Sequence, residues 1–276
     1  MTAKTMQLSN GLKVFYSSKE DVKSLDQEIF THDTPGQHGV AIRDGDVIFD
    51  LGANIGLFAL WAHQKCRNIT IHAFEPIVET FDVLRRNVDL HALNVKLHNV
   101  GIGATAGTVE FTNYVNMSMI STMCPDEEKL RKVLRDGMVD SYFKVLPLPL
   151  AVVFFLLPLR RWRVGLANVL LNPLMAKRKV KCQVDTLSDV IRREGVSAVD
   201  LLKIDTEGNE LEILNSLSDE DWGKIRQFII EIHKPDTELD TIRRIIEARG
   251  FEVRIDNSVV ANEGELYMLY ARRAAA

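Results

Sequence analysis

The stretch VIFDLGANIGLFAL, residues 47–60, holds a strand, a turn and a helix start within fourteen positions. VIFDL is an apolar run rich in β-branched and aromatic residues, the composition of a strand buried on both faces. LFAL opens a helix-length stretch, expected over residues 55–64. Between them lies Gly52-Ala53-Asn54-Ile55-Gly56. Gly52 would let backbone approach a ligand closely, and Gly56 would let the new helix pack tightly on the sheet. Asp50 closes the strand, where a carboxylate can hold ammonium or hydroxyl groups, directly or through water, and would repel a pyrophosphate. The residue two after Gly52 is Asn54, so the G-x-G-x-x-G fingerprint of a dinucleotide site is missing and NAD is disfavoured.

Outward from this turn, strand-like runs alternate with amphipathic helical stretches, the pattern of β-α-β units and a mainly parallel sheet. A second strand is expected over 69–74, a helix over 78–91 and a third strand over 95–100. Residues 101–112 then read as a turn and a short extra strand. The alternation resumes near Val180, with strands over 199–204 and 228–232, helices over 210–217 and 237–249, and two final strand-like runs over 251–255 and 265–271. Glu75 ends the second strand in HAFEP, 25 residues beyond Asp50. A carboxylate there can accept both hydroxyls of a ribose, and Pro76 suits the first turn of the next helix. Gly52, Gly56 and Glu75 in this order favour a nucleoside ligand, although each alone is commonplace.

At 276 residues the chain can form one elaborated α/β domain. Residues 1–45 fall outside the sheet pattern and include His32, Pro35, Gly36 and His38 in a turn-rich stretch; they read as an N-terminal cap. Residues 46–276 read as the main domain, with 114–179 inserted as a lid. The 34 basic and 38 acidic residues, net −4, give no positive field for a nucleic acid. Cys66, Cys124 and Cys182 show neither C-x-x-C nor zinc spacing, and the N-terminus lacks the pattern of a signal peptide, so a cytoplasmic location with reduced thiols is expected.

The segments VIFDLGANIGLFAL, HAFEP, LLKIDTEGNELEIL and FIIEIH closely resemble the FkbM-type methyltransferases, a class I, Rossmann-like branch of the enzymes that use S-adenosylmethionine. The resemblance covers about residues 46–113 and 180–270. It implies a mainly parallel Rossmann-like sheet with an antiparallel C-terminal strand. It also implies that Asp50, Gly52, Asn54 and Gly56 surround the methionine part of the cofactor, Glu75 its ribose, and Asn99, Val100 and Gly101 its adenine. Asp205 would face the methyl-transfer centre. Such enzymes mostly methylate hydroxyl groups of sugars and natural products; the opening segment, with SLDQEIF before HDTPGQHGV, looks more like the natural-product branch.

Methyl transfer to a hydroxyl needs an in-line approach and a base for the proton. His233, after the expected fifth strand and beside Asp205, is the candidate base because its ordinary pKa lies near neutrality. Glu231 shares its side of the strand and could orient the imidazole. Asp205 and Glu207 could instead bind Mg²⁺; without a further Asp-Asn pair, the favoured reading has Asp205 lining the pocket and Glu207 capping the next helix. Lys203, inside an apolar strand, snorkels or pairs with a carboxylate.

The insertion holds an uncharged run, VLPLPLAVVFFLLPL at 145–159, followed by Arg160, Arg161, Trp162 and Arg163. Its fifteen residues and three prolines are too short and broken for a spanning helix. Peripheral membrane contact through 145–175, a cover over a greasy acceptor, a carrier-protein contact and a dimer contact are the readings it offers. The leading function is O-methylation of a hydrophobic natural product, free or carrier-bound. A sugar or lipid-headgroup O-methyltransferase is the alternative within that chemistry, and a catalytically silent nucleoside-binding module the alternative outside it.

Overall fold

A computed structural model describes residues 4–114, 127–157, 159–257 and 267–273. Its central sheet has seven strands, numbered here in chain order: β1 (Val47–Leu51), β2 (Thr70–Phe74), β3 (Val95–His98), β4 (Leu201–Ile204), β5 (Gln227–Ile232), β6 (Phe251–Asn257) and β7 (Tyr267–Arg273). Their spatial order is β6-β7-β5-β4-β1-β2-β3. The pairs from β3 across to β5 are parallel, and β7 runs antiparallel to both β5 and β6. This is the Rossmann-like sheet with an antiparallel C-terminal strand expected from the sequence. The winding reverses between β1 and β4, which places a crevice outside their carboxyl ends.

Both faces are covered because alternate side chains of each strand feed separate cores. Ile48, Ile71, Ala73, Leu201 and Ile229 meet the helices Leu57–Lys65 and Val78–Leu90 and the N-terminal segment. Phe49, Leu51, Leu202, Ile204 and Phe228 meet the helices Leu187–Arg193, Glu210–Ser216 and Pro235–Ala248. The first helix starts at Leu57, two residues later than expected, because Gly56 sits at φ +91. The expected strand over 95–100 ends at His98; Gly101–Ile102 joins a separate three-stranded sheet with Gly107–Tyr114 and Lys177–Asp185.

The strand Lys177–Asp185 was not foreseen. Its basic residues mask a two-residue alternation in which Cys182 and Val184 turn inward onto Ile77 and Phe111. Antiparallel pairing of Gly107–Tyr114 with Lys177–Asp185 makes a stalk from which the insertion projects. Beyond it, the helices Glu127–Asp140, Tyr142–Val145, Leu148–Leu156 and Arg160–Leu174 pack around Met138, Val139, Phe154, Ala167 and Leu171. Residues 115–126 of the expected lid, with Cys124, and the expected strand start at 265–266 lie outside the described residues.

The cap is more regular than its turn-rich sequence suggests. A hairpin, Lys4–Gln7 with Lys13–Tyr16, leads to helix Lys19–Asp26, whose Ser18 side chain accepts the Asp21 N–H. Side chains of the main domain then hold it: Trp61 Nε1 donates to Asp33 Oδ1 at 2.6 Å, and the Tyr270 hydroxyl donates to the Thr34 carbonyl at 2.9 Å. Buried Asn87 accepts from Phe15 N and donates to the carbonyls of Phe15 and Ile55. Replacing Asn87 by Ala would strand these backbone groups, and urea unfolding is expected to show a loss of about 1–3 kcal/mol.

His72 on β2 and His98 on β3 approach with Nδ1 and Nε2 3.2 Å apart, ring centres 5.3 Å apart and planes 9° apart. The N···N distance plus the two centre-to-nitrogen radii nearly accounts for the centre separation, so the rings meet head-on and share one proton. Burial, then the neighbouring His98 and Lys96, lower the His72 pKa to about 4, and burial lowers that of His98. A neutral native pair and an unfolded state that takes up protons near pH 6.5 make stability complete above that value and lost as pH falls toward about 4. His72→Phe, which keeps a ring against Phe49, is expected to flatten this fall in chemical denaturation across the same pH window.

Candidate functional site

The crevice opens at the carboxyl ends of β1, β2, β4 and β5. Gly52, at φ +80, follows β1 there; a Cβ would fall 1.9 Å from the Asp205 carbonyl oxygen. Its need for glycine therefore comes from protein backbone, not only from a ligand. At Gly56 a Cβ would meet Leu84 on the next helix at 2.7 Å. Between them the N–H groups of Gly52 and Ala53 donate to the Phe74 carbonyl at 3.1 and 2.9 Å, tying the turn to β2. Asn54 adopts φ +48, which turns its N–H toward Glu75.

Glu75 lines the cleft, and each carboxylate oxygen accepts one backbone N–H: Oε2 from Asn54 at 3.1 Å and Oε1 from Ile77 at 2.9 Å. Each oxygen keeps a further lone pair. Burial raises its pKa to about 7; the two N–H donors oppose that shift, while Asp50 and Asp205 add to it. Asn99 instead turns its amide back to the carbonyls of Glu75 and Pro76, at 2.9 and 3.3 Å. Of Asn99, Val100 and Gly101, it is Gly101, with Ile102, that lines the cleft.

Asp50 is fully buried and does not line the cleft. Its charged neighbour is Lys203, whose Nζ lies 3.2 Å from Asp50 Oδ1 and 3.1 Å from Asp205 Oδ2. The lysine pairs with carboxylates on both sides. Burial disfavours its charge, but Asp205 and Asp50 outweigh this and hold its pKa well above the usual lysine range. Lys203 and Asp205 line the cleft, and Asp50 lies behind the lysine.

The run Asp205-Thr206-Glu207-Gly208-Asn209-Glu210 bends away from β4 through left-handed Glu207 and Gly208, at φ +56 and +100. Glu210, buried, is its hub. One oxygen accepts from Thr206 N at 3.2 Å, Gly208 N at 2.9 Å and His233 Nδ1 at 3.1 Å. Glu210 thus closes the loop, and the next helix, Glu210–Ser216, starts from Asn209 rather than from Glu207, which was expected to cap it. The Glu207 carboxylate lies 3.4 Å from His233 Nε2, and burial raises its pKa to about 8, against the pull of His233.

His233 lies among carboxylates: Glu210 at Nδ1, with Glu207 and Glu231 each 3.4 Å and Asp205 4.0 Å from Nε2. Burial opposes its charge, yet Glu207, Glu210 and Glu231 raise its pKa well above 6.5. The sequence offers His233 as a base on its ordinary pKa; in the folded chain the surrounding carboxylates favour the protonated ring. Glu210, not Glu231, bonds Nδ1 and fixes the ring. Glu231 lines the cleft, and burial and Asp205 raise its pKa while His233 opposes them. His233 itself stands behind that lining.

Cap residues close the other side of the cleft: Leu25, Glu28, Ile29 and Pro35. Burial, then Glu231 and Asp205, raise the pKa of Glu28 to about 8. No local signal in the sequence marked Glu28, which the structure places in a short π-helix, Gln27–Thr31, that follows helix Lys19–Asp26. Among the described residues, none from the helices between 127 and 174 lines the cleft, so the cover comes from the cap. Ligand atoms of Asp205, Glu231 and His233 lie within 4.8 Å of one another. Two carboxylates and an imidazole suit a borderline divalent ion better than Mg²⁺, which favours an octahedron of oxygens. Asp205 already faces the Lys203 cation.

Comparison with known proteins bears on this arrangement. Residues 156–253 match the Methyltransferase FkbM domain. The chain is 32% identical over 273 residues to 31-O-demethyl-FK506 methyltransferase FkbM of Streptomyces tacrolimicus, covering 98% of this chain and 97% of that protein. It is 30% identical over 279 residues to methyltransferase sdnD of Sordaria araneosa, covering 95% and 94%. A crystal structure of methyltransferase FkbM from Methylobacillus flagellatus is similar with a TM-score of 0.48 and 15% identity, over 85% of this chain and 46% of that one. The near full-length identity to the Streptomyces protein shows that this chain belongs to the FkbM methyltransferase family.

Proposed function

We propose that this methyltransferase uses S-adenosylmethionine to methylate a hydroxyl of a hydrophobic natural product, free or carried on a carrier protein. Glu75 carries the cofactor assignment. Its carboxylate is fixed by two backbone N–H groups at the end of β2, with lone pairs left for ribose hydroxyls. Gly52 and Asn54 would border the methionine part, and Gly101 with Ile102 the base. The acidic residues facing the cleft favour a cationic sulfonium. Apolar Leu25, Ile29, Pro35 and Met268 suit a greasy acceptor. The Streptomyces relative is named for methylating 31-O-demethyl-FK506, which supports an oxygen acceptor from natural-product chemistry.

Held by Glu75, Gly52, Asn54, Gly101 and Ile102, the cofactor would supply an electrophilic methyl group on sulfur for the acceptor hydroxyl, with its own thioether as the leaving group. The hydroxyl proton remains for this chain to remove. We assign its removal to Glu231, because that carboxylate lines the cleft and its raised pKa makes it a stronger base than an ordinary glutamate. His233, held as imidazolium, positions Glu231 and balances its charge, while Asp205 and Lys203 form the floor. The proton acceptor thus moves one residue pair from the imidazole to the carboxylate it touches.

Calorimetric titration with S-adenosylhomocysteine tests the cofactor. Affinity should rise with pH through about 7, because ionised Glu75 accepts ribose hydroxyls better than protonated Glu75 does. Glu75→Gln should weaken binding by about ten- to a hundredfold and remove that pH dependence; unaltered binding would reject the assignment. With an acceptor in hand, Glu231→Gln should lower kcat by about 10²–10⁴ with cofactor affinity kept. Wild-type kcat/KM should decline on the acid side, starting above the usual carboxylate range because the Glu231 pKa is raised. A protein that binds the cofactor yet methylates no hydroxyl substrate would favour the silent binding module.

A further inference from the structure

Helix Leu148–Leu156 at the outer end of the insertion is apolar on every side. Ala151 and Phe154 face the small core of the insertion, and the remaining surface is also hydrocarbon. Leu148 is 71% exposed, Leu156 69% and Phe155 58%, with Val152 and Val153 between them. An ordinary surface helix carries polar residues on its outer face; none of the nine side chains here can form a hydrogen bond. Contiguous apolar surface of this kind marks an interaction site.

Its border is basic. The next helix, Arg160–Leu174, begins with Arg160, Arg161, Trp162 and Arg163, has no acidic residue in its first turn and no side-chain cap. Cations at a helix N-terminus oppose the helix dipole, which favours an anion there. Arg160 is paired with Asp140, and Arg163 donates to the Leu157 carbonyl. Arg161 is exposed and, among the described residues, forms no ion pair, while Trp162 is half exposed beside it. Hydrocarbon bordered by Trp and arginine matches a bilayer surface, where acyl chains lie below a layer of phosphate.

We infer that the Leu148–Leu156 face, with Arg161 and Trp162 at its edge, docks this methyltransferase on an anionic lipid surface. Helix Leu148–Leu156 has nine residues and lies in the interface; among the described residues no helix is long and apolar enough to cross a membrane. Protein partners make roughly one hydrogen bond per 100–200 Å² of interface, and this face offers no polar side chain for them. Two copies meeting through the same face would also bring their arginine borders together. The cap and strand ends, rather than these helices, line the cleft, so the contact is independent of the proposed reaction.

Flotation of the full chain with phosphatidylcholine vesicles, and with vesicles also containing phosphatidylglycerol, tests this. Binding to the anionic vesicles is expected, with clearly weaker binding to the neutral ones. Phe155→Ser with Leu156→Ser should reduce it by about a hundredfold, and Arg161→Glu, outside the core, by several-fold. Both variants should keep S-adenosylhomocysteine binding and the far-ultraviolet circular dichroism of wild type. Failure to bind anionic vesicles, equal binding to neutral ones, or binding that is undiminished in Arg161→Glu overturns the inference. So does a dimer in sedimentation velocity that the double variant dissociates without any vesicle binding by wild type.

Discussion

The ammonium of Lys203 sits between Asp50 and Asp205 at the junction where the sheet reverses its winding. Asp50 and Lys203 are register partners on neighbouring parallel strands, and Gly52 follows with no room for a side chain against the Asp205 backbone. A buried charge is tolerated only when paired, and removing one partner of such a group typically costs about 3–5 kcal/mol because the others stay buried. The same contact therefore bridges the side chains of β1 and the end of β4 beside the crevice. Moving either strand end would expose or strand a charge.

An excess of carboxylates follows from that junction. Asp50, Glu75, Asp205, Glu207, Glu210, Glu231 and Glu28 gather around two cationic side chains, Lys203 and His233. Burial alone pushes carboxylate pKa values up, and proximity to a cation or an N–H donor brings them down. The balance differs residue by residue: Glu210, bonded to His233 and the Gly208 N–H, is lowered, while Glu231, beside Asp205, is raised. One side chain type thus serves as a fixed anchor at Glu210 and, in the reaction proposed above, as the proton acceptor at Glu231.

The parts added to the sheet divide the remaining work. The cap, held by Trp61, Asn87 and Tyr270, closes the cleft and supplies Glu28. The insertion leaves on a ribbon stalk, builds its own small core and turns an apolar face outward. Because, among the described residues, the cleft lining does not use its helices, that face can change with little effect on the cleft.

The strand and helix succession, the turn around Gly52, and the positions of Glu75, Asp205 and Glu231 were legible in the sequence, because each depends on short-range periodicity or on a glycine's backbone freedom. The strand Lys177–Asp185 was not: its alternation is hidden by basic residues and appears only when Gly107–Tyr114 pairs with it. Nor could the sequence assign the state of His233. Its pKa is set by Glu207, Glu210 and Glu231, two of them brought from β4's loop by the crossover, and burial and Coulomb energy depend on distances through space. For the same reason nothing in the turn-rich reading of the cap singled out Glu28 until folding carried it across the cleft from Glu231, and the carboxylates that pair with Lys203 were identified only when β1 and β4 lay side by side.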